Sequence, residues 1–174
     1  MIDGYATHQE ALAFAFACTG GAVVELGAGW YSTPLLHGLC EATMRELWTV
    51  EADLDWARQF IPWSNKWHRL IVDSAVSIPA GIEDIGIVLV DHNQYPGAPG
   101  RDGPSRGMSI RAARERGADI IVCHDSNMLL ADGSLSSNYT GYQGALDEFP
   151  HRRDWTNFLP WTTALSDTLN IEEE

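Results

Sequence analysis

Five short apolar runs recur between residues 22 and 125, and each meets an acid at or near its end. VVEL contains Glu25, LWTV leads to Glu51, RLIV to Asp73, GIVLV to Asp91, and ADIIVC, through His124, to Asp125. Runs this short, bounded by turn residues, suit strands buried on both faces better than helices. The first passes directly into Gly27-Ala28-Gly29 and then Ser32-Thr33-Pro34, a tight turn followed by a helix start with Thr33 as N-cap and proline at the first helical position.

Helix-like segments fill the spaces between the runs. Thr7-His8-Gln9-Glu10 matches a capping box and predicts a helix over about 8–18, stopped by Gly20-Gly21. Further helices are predicted through LLHGLCEAT, over 54–60 with Asp53 near the cap, and from Ser105 to about Arg116, ended by Gly117. Residues 75–85 are broken by Pro79 and Gly81, so a helix there is stunted. A last helix over roughly 140–148 precedes two segments, WTNFLPW and TTALSDT, that alternate as a closing strand pair. Strands alternating with helices imply right-handed parallel crossovers. The expected architecture is α/β: a mostly parallel sheet with helices on both faces and a C-terminal antiparallel pair.

Parallel strands place their carboxyl ends, where ligands bind, on one edge. Glu25, Glu51, Asp73, Asp91 and Asp125 should therefore gather on one rim. Acids also cap the helices that follow strands, but five in succession favour a site.

The bulk numbers limit the partners. The 174 residues, 45% of them apolar, suit one domain spanning 1–174 with one core. No apolar run approaches about 18 residues, and the opening MIDGYATHQE lacks a basic stretch. Neither a membrane partner nor a signal peptide is expected. Cys18, Cys40 and Cys123 fit no zinc or redox spacing and read as reduced thiols, placing the chain in the cytoplasm. A net charge of -13 repels phosphate backbones, so duplex nucleic acid is disfavoured. Arg101, Arg106, Arg111, Arg114 and Arg116 crowd sixteen residues, either as a solvated helix face or as a dock for an anionic group. Seven tryptophans leave room for an interface without fixing an oligomeric state.

Glu25-Leu26-Gly27-Ala28-Gly29, an acid before Gly-x-Gly at the end of a first strand, resembles the signature of class I S-adenosylmethionine-dependent methyltransferases. The likeness runs from about residue 22 to 125 and implies a Rossmann-like fold, S-adenosylmethionine as cofactor and methyl transfer as activity. Glycines at 27 and 29 open backbone angles closed to other residues and let a ligand approach. A carboxylate at Glu25 suits the ammonium of a methionine moiety and would repel a pyrophosphate. The dinucleotide fingerprint would need a third glycine where Ser32 stands, and the usual methyltransferase pattern would have one at Tyr31. Glu51, with Ala52 beside it, is expected to accept the ribose hydroxyls. The resemblance gives Asp73-Ser74 to the adenine amino group, and one of Trp56, Trp63 and Trp67 is a candidate cover for the ring.

The same resemblance, to its small-molecule O-methyltransferases, implies a magnesium ion held by Asp91 and Asp125 with Asn127, although Ser126 intervenes before the amide. His92 and His124 flank these acids and are candidate general bases for a hydroxyl, His92 nearer the methyl group. The only lysine, Lys66, precedes the third strand and is not a catalytic candidate. Residues 92–104, rich in Gly and Pro, read as a lid or a surface loop. The leading expectation is methylation of a hydroxyl on a small-molecule or sugar-like acceptor. The alternatives are a donor-binding protein that cleaves the donor or lacks transferase activity, a nicotinamide-dependent oxidoreductase, and a non-enzymatic interaction module.

Overall fold

A computed structural model describes residues 6–73, 76–92, 105–127, 133–134, 142 and 144–172. The elements are α1 (Gln9–Cys18), β1 (Ala22–Leu26), α2 (Thr33–Thr43), β2 (Leu47–Glu51), α3 (Leu54–Ala57), β3 (His68–Val72), β4 (Ile85–Val90), α4 (Arg106–Glu115), β5 (Ile120–His124), β6 (His151–Trp155) and β7 (Thr162–Ser166), with 3-10 turns at Ile61–Trp63 and Ala145–Glu148. The strands form one sheet in the order β3-β2-β1-β4-β5-β7-β6. β1 to β5 are parallel, and β7 runs antiparallel to both β5 and β6. This is the Rossmann-like α/β architecture expected from the alternating runs, closed by an antiparallel pair.

Strand geometry explains why the central runs are apolar throughout. Successive side chains point to opposite faces, and both faces are covered. Val24, Leu26, Val88, Val90, Ile121 and Cys123 pack with Ile110 and Ala113 of α4 and with Leu146. Val23, Leu47, Ile87, Leu89, Ile120 and Val122 pack with Ala11, Leu12 and Ala15 of α1 and with Leu36 and Cys40 of α2. By the same parity Glu25 falls on the second face, inside the layer between β1 and α2.

Several boundaries depart from the sequence expectation. The strand before β7 is HRRDW, not WTNFLPW. A strand with exposed or half-exposed Arg152, Arg153 and Asp154 reads poorly as a core strand, but charge on an edge strand blocks further pairing. Pro160 sits in the following turn and cannot donate to a ladder. The capping box at Thr7 does not form. His8 is the N-cap, without a side-chain cap bond, because the Thr7 hydroxyl donates to the Pro160 carbonyl at 2.7 Å. Asp53 and Ser105 do cap α3 and α4 through their side chains. The helix predicted over 54–60 is shortened to α3, with Pro62 in the 3-10 turn that follows. Within 140–148 Tyr142 is helical and Ala145–Glu148 form a 3-10 turn.

Candidate active site

β1 lies between β2 and β4, so the turn after it is flanked by the tips of both neighbours. Gly27 has φ of +100°, and a Cβ there would stand 2.7 Å from the Asp91 carbonyl oxygen. Only glycine fits this approach. On the other side Glu51 closes on the turn: Oε2 accepts the Ala28 N–H at 3.0 Å and Oε1 accepts the Asp53 N–H at 2.9 Å. The half-exposed carboxylate keeps lone pairs for a further donor. Ala52 beside it is half-buried. Trp56 donates its indole N–H to the Ala28 carbonyl at 2.7 Å and packs with Phe60, which also meets the half-exposed Trp30. An aromatic wall therefore stands beside the glycine turn, built from Trp56 and not from Trp63 or Trp67, which pack around His37. Asp73 follows β3 on the same edge and is half-buried. Ser74 and residues 93–104, the lid candidate, lie outside the described residues.

Glu25, expected at the methionine ammonium, is completely buried and faces the layer between β1 and α2. Its oxygens accept from the Thr33 hydroxyl at 2.9 and 3.0 Å and from the Thr49 hydroxyl at 2.7 Å. The donors continue outward. Thr33 accepts the Gly29 N–H at 3.0 Å, and Thr49 meets His68 Nε2 at 3.0 Å. His68 Nδ1 meets His37 Nδ1 at 2.9 Å. Because Thr49 spends its only proton on Glu25, His68 Nε2 must donate, and its bare Nδ1 accepts from His37. Burial lifts the Glu25 carboxyl from 4.5 to about 7, against the hydroxyls of Ser32, Thr49 and Thr33. Glu25 thus acts through Thr33, holding the amide of Gly29 in place. Ser32 is equally buried and also faces this network instead of a ligand.

At the tips of β4 and β5 the chain gathers a second cluster. Arg106, almost fully buried, donates to the carbonyls of His92 at 3.0 Å and His124 at 2.7 Å. It reaches Asp91 Oδ1 at 3.2 Å and Asp125 Oδ2 at 3.2 Å, and Tyr142 donates to the His124 carbonyl as well. One guanidinium therefore fixes both strand tips and both acids. His124 Nδ1 lies 3.1 Å from Asp91 Oδ1, and its Nε2 lies 3.0 Å from the Thr7 hydroxyl. Burial favours the neutral forms of both groups, but each favours the charge of the other. His124 is raised above 6.5, and Asp91 is held well below the usual carboxylate range. His8 joins edge-on, its ring centroid 4.7 Å from that of His124.

Two further expectations find no support in the geometry. His92 is 2% exposed, its Nε2 lies 2.8 Å from the Ser109 hydroxyl of α4, and burial lowers it to about 3. A ring held neutral beneath a helix is not placed as a base at the rim. The magnesium site does not form as expected either. The guanidinium of Arg106 already bridges Asp91 and Asp125, which has φ of +56°. Asn127 is buried, and its amide oxygen accepts the Trp161 N–H at 3.3 Å. These residues do not fit a hard cation that keeps several waters.

The arginine run makes no free anion dock among the described residues. Arg106 is internal, Arg111 pairs with Glu148, Arg114 with Asp167 at 2.7 Å, and Arg116 donates to the carbonyls of Pro79 and Ile82. A groove of about 690 Å³ opens at the opposite, amino-terminal edge of the sheet, lined by Thr19, Gly21, Arg45 and Asp84. Arg45 closes on the Gly20 and Gly21 carbonyls there. No helix of the described residues is long and apolar enough to cross a membrane.

Sequence reasoning missed Thr7, His8, Arg106 and Tyr142. His8 stood in the capping box and Arg106 in the arginine run, and no local pattern marked either as part of a cluster.

No protein-family model and no curated protein sequence matches the chain. Solved structures do. A methyltransferase from Geobacter sulfurreducens is 12% identical with a TM-score of 0.58, over 95% of this chain and 79% of that one. An rRNA methylase from Streptococcus thermophilus is 15% identical with a TM-score of 0.58, over 95% and 98%. The N-terminal domain of human METTL16, in complex with SAH, is 10% identical with a TM-score of 0.54, over 96% and 72%. At these identities the likeness is one of fold, and the fold is that of the class I S-adenosylmethionine-dependent methyltransferases.

Proposed function

We propose that the chain uses S-adenosylmethionine to methylate a hydroxyl of a small-molecule acceptor. The observation that carries the reading is the placement of Glu51 and Asp91 on either side of the Gly27 turn, within a fold shared with methyltransferases. Glu51 would hold the ribose hydroxyls, which lose water on binding and need acceptors. Asp73 would take the adenine amino group, and Trp56 and Trp30 would flank the base. When bound, the donor supplies a methyl group on an already activated sulfonium. What remains for the chain is alignment, exclusion of water and removal of the acceptor proton. Asp91 and His124 stand paired near the rim, where that proton has to leave, and Arg106 holds them in register.

The net charge of -13 and the internally paired arginines support an acceptor without a phosphate backbone. An RNA acceptor is the second reading, favoured by the fold likeness to rRNA methylases. One experiment separates them. Methyl-labelled donor is incubated with the protein and either a panel of hydroxyl-bearing small molecules or total RNA. The proposal expects label in a small molecule and a loss of at least about 100-fold in turnover for Asp91→Asn, with S-adenosylhomocysteine affinity retained. Label in RNA alone, donor breakdown without transfer, or undiminished turnover in the variant would each overturn it.

A further inference from the structure

Hydrogen-bond logic leaves a vacant positive charge in the Asp91–His124 cluster. Thr7 gives its proton to the Pro160 carbonyl, so it can only accept from His124, and His124 Nε2 must carry a proton. The opposite nitrogen, Nδ1, then faces the Asp91 carboxylate at 3.1 Å. A bare lone pair against a carboxylate oxygen repels it, so a cation has to lie between them: a second proton or a metal ion.

His8 distinguishes the two. Its ring is 2% exposed, and neither nitrogen makes a well-formed hydrogen bond with a described group. The Tyr31 carbonyl lies close enough to favour a ring N–H, but outside good hydrogen-bond geometry. A buried imidazole with an unspent lone pair is uncommon and calls for a partner. One donor atom each from His8, Asp91 and His124 lie within 4.8 Å of one another. A proton between Asp91 and His124 leaves His8 unexplained; a metal ion uses all three. Ligands about 2.1 Å from an ion stand roughly 3.0–3.5 Å apart. Asp91 and His124 already do, and the His8 ring needs to close by about an ångström.

The surroundings match a ligand shell. The His124 Nε2–H is fixed by Thr7, which is fixed by Pro160, and the Tyr31 carbonyl, itself accepting from Gln9 Nε2 at 3.0 Å, lies beside the His8 ring. Such outer contacts set the ring orientation of metal-bound histidines. Asp91 and Asp125 against Arg106 leave one net negative charge beside the two imidazoles, which attracts a cation.

We infer that His8, Asp91 and His124 form a binding site for a first-row transition-metal ion, at the methyl-acceptor end of the sheet. Two imidazoles and one carboxylate with open positions suit zinc or ferrous iron, and magnesium poorly. Metal uptake is read without the methyl donor, so this inference stands or falls independently of the proposed transferase activity.

The test is Co2+ titration of the untagged, EDTA-stripped protein, followed by visible absorption and calorimetry. The expected result is one Co2+ per chain, displaced by Zn2+ and not by millimolar Mg2+. His8→Asn should weaken uptake by at least about 30-fold. His37→Asn, altering the histidine pair on the other side of β2, should leave it unchanged. Should His8→Asn fail to fold, proton NMR of the Co2+-loaded wild type decides: two hyperfine-shifted imidazole N–H signals are expected. Absence of stoichiometric uptake by the wild type would overturn the inference. So would uptake unaffected by His8→Asn or lost in His37→Asn, or fewer than two shifted imidazole signals.

Discussion

Replacing Glu25 with glutamine is expected to stabilise the protein in alkali and to lose that advantage as the pH falls. The unfolded carboxyl ionises near 4.5 and the native one near 7. Between those values the native state holds a proton that the unfolded chain has released, so stability falls as the pH rises through the window. Above pH 7 the full cost applies, roughly 3 kcal/mol. The amide does not titrate and escapes this cost. It does disturb the hydroxyls of Thr33 and Thr49, both of which point a proton at position 25, a penalty of about 1 kcal/mol that is independent of pH. The difference in unfolding free energy between Glu25→Gln and wild type should therefore shift by about 2.5 kcal/mol in the variant's favour from pH 5 to pH 8. Urea unfolding followed by tryptophan fluorescence at pH 5, 6, 7 and 8 measures it, and contributions from His8 and His68 cancel between the two proteins. Parallel pH curves would refute the argument, because Glu25 would then ionise alike in both states.

Three other substitutions test the rim. Gly27→Ala should cost at least about 2 kcal/mol, seen as a lower urea midpoint, because its Cβ meets the Asp91 carbonyl at 2.7 Å and φ is +100°. Glu51→Ala should weaken S-adenosylhomocysteine binding by about 10- to 100-fold in calorimetry, the worth of charged hydrogen bonds to two hydroxyls. His92→Gln should leave turnover within about threefold, whereas loss of a true general base would cost about 100-fold or more.

The parallel sheet was legible because its strands are covered on both faces, which forces continuous apolar runs such as GIVLV. The antiparallel pair was legible in part: TTALS is buried along its length and alternates as a strand, while HRRDW is an edge strand whose charge hides it. The turn at Gly27 and its flanking acids Glu51 and Asp91 could be placed from the rule that parallel strands bring their carboxyl ends to one edge. Side-chain direction could not. Glu25 lies one residue before the end of β1, and that parity turns it into the α2 layer. His92 likewise sits next to Asp91 yet turns beneath α4. His8 and Arg106 join the cluster from elements distant in sequence, and proximity across the fold leaves no local pattern to read.

The central claim is that the Gly27 turn, between Glu51 and Asp91, receives S-adenosylmethionine. Calorimetric titration of the folded protein with S-adenosylhomocysteine, with NADH as control, tests it most directly. The account predicts one molecule bound per chain, weakened by Glu51→Ala, and no response to NADH. No binding by demonstrably folded protein, or a preference for NADH, would contradict it.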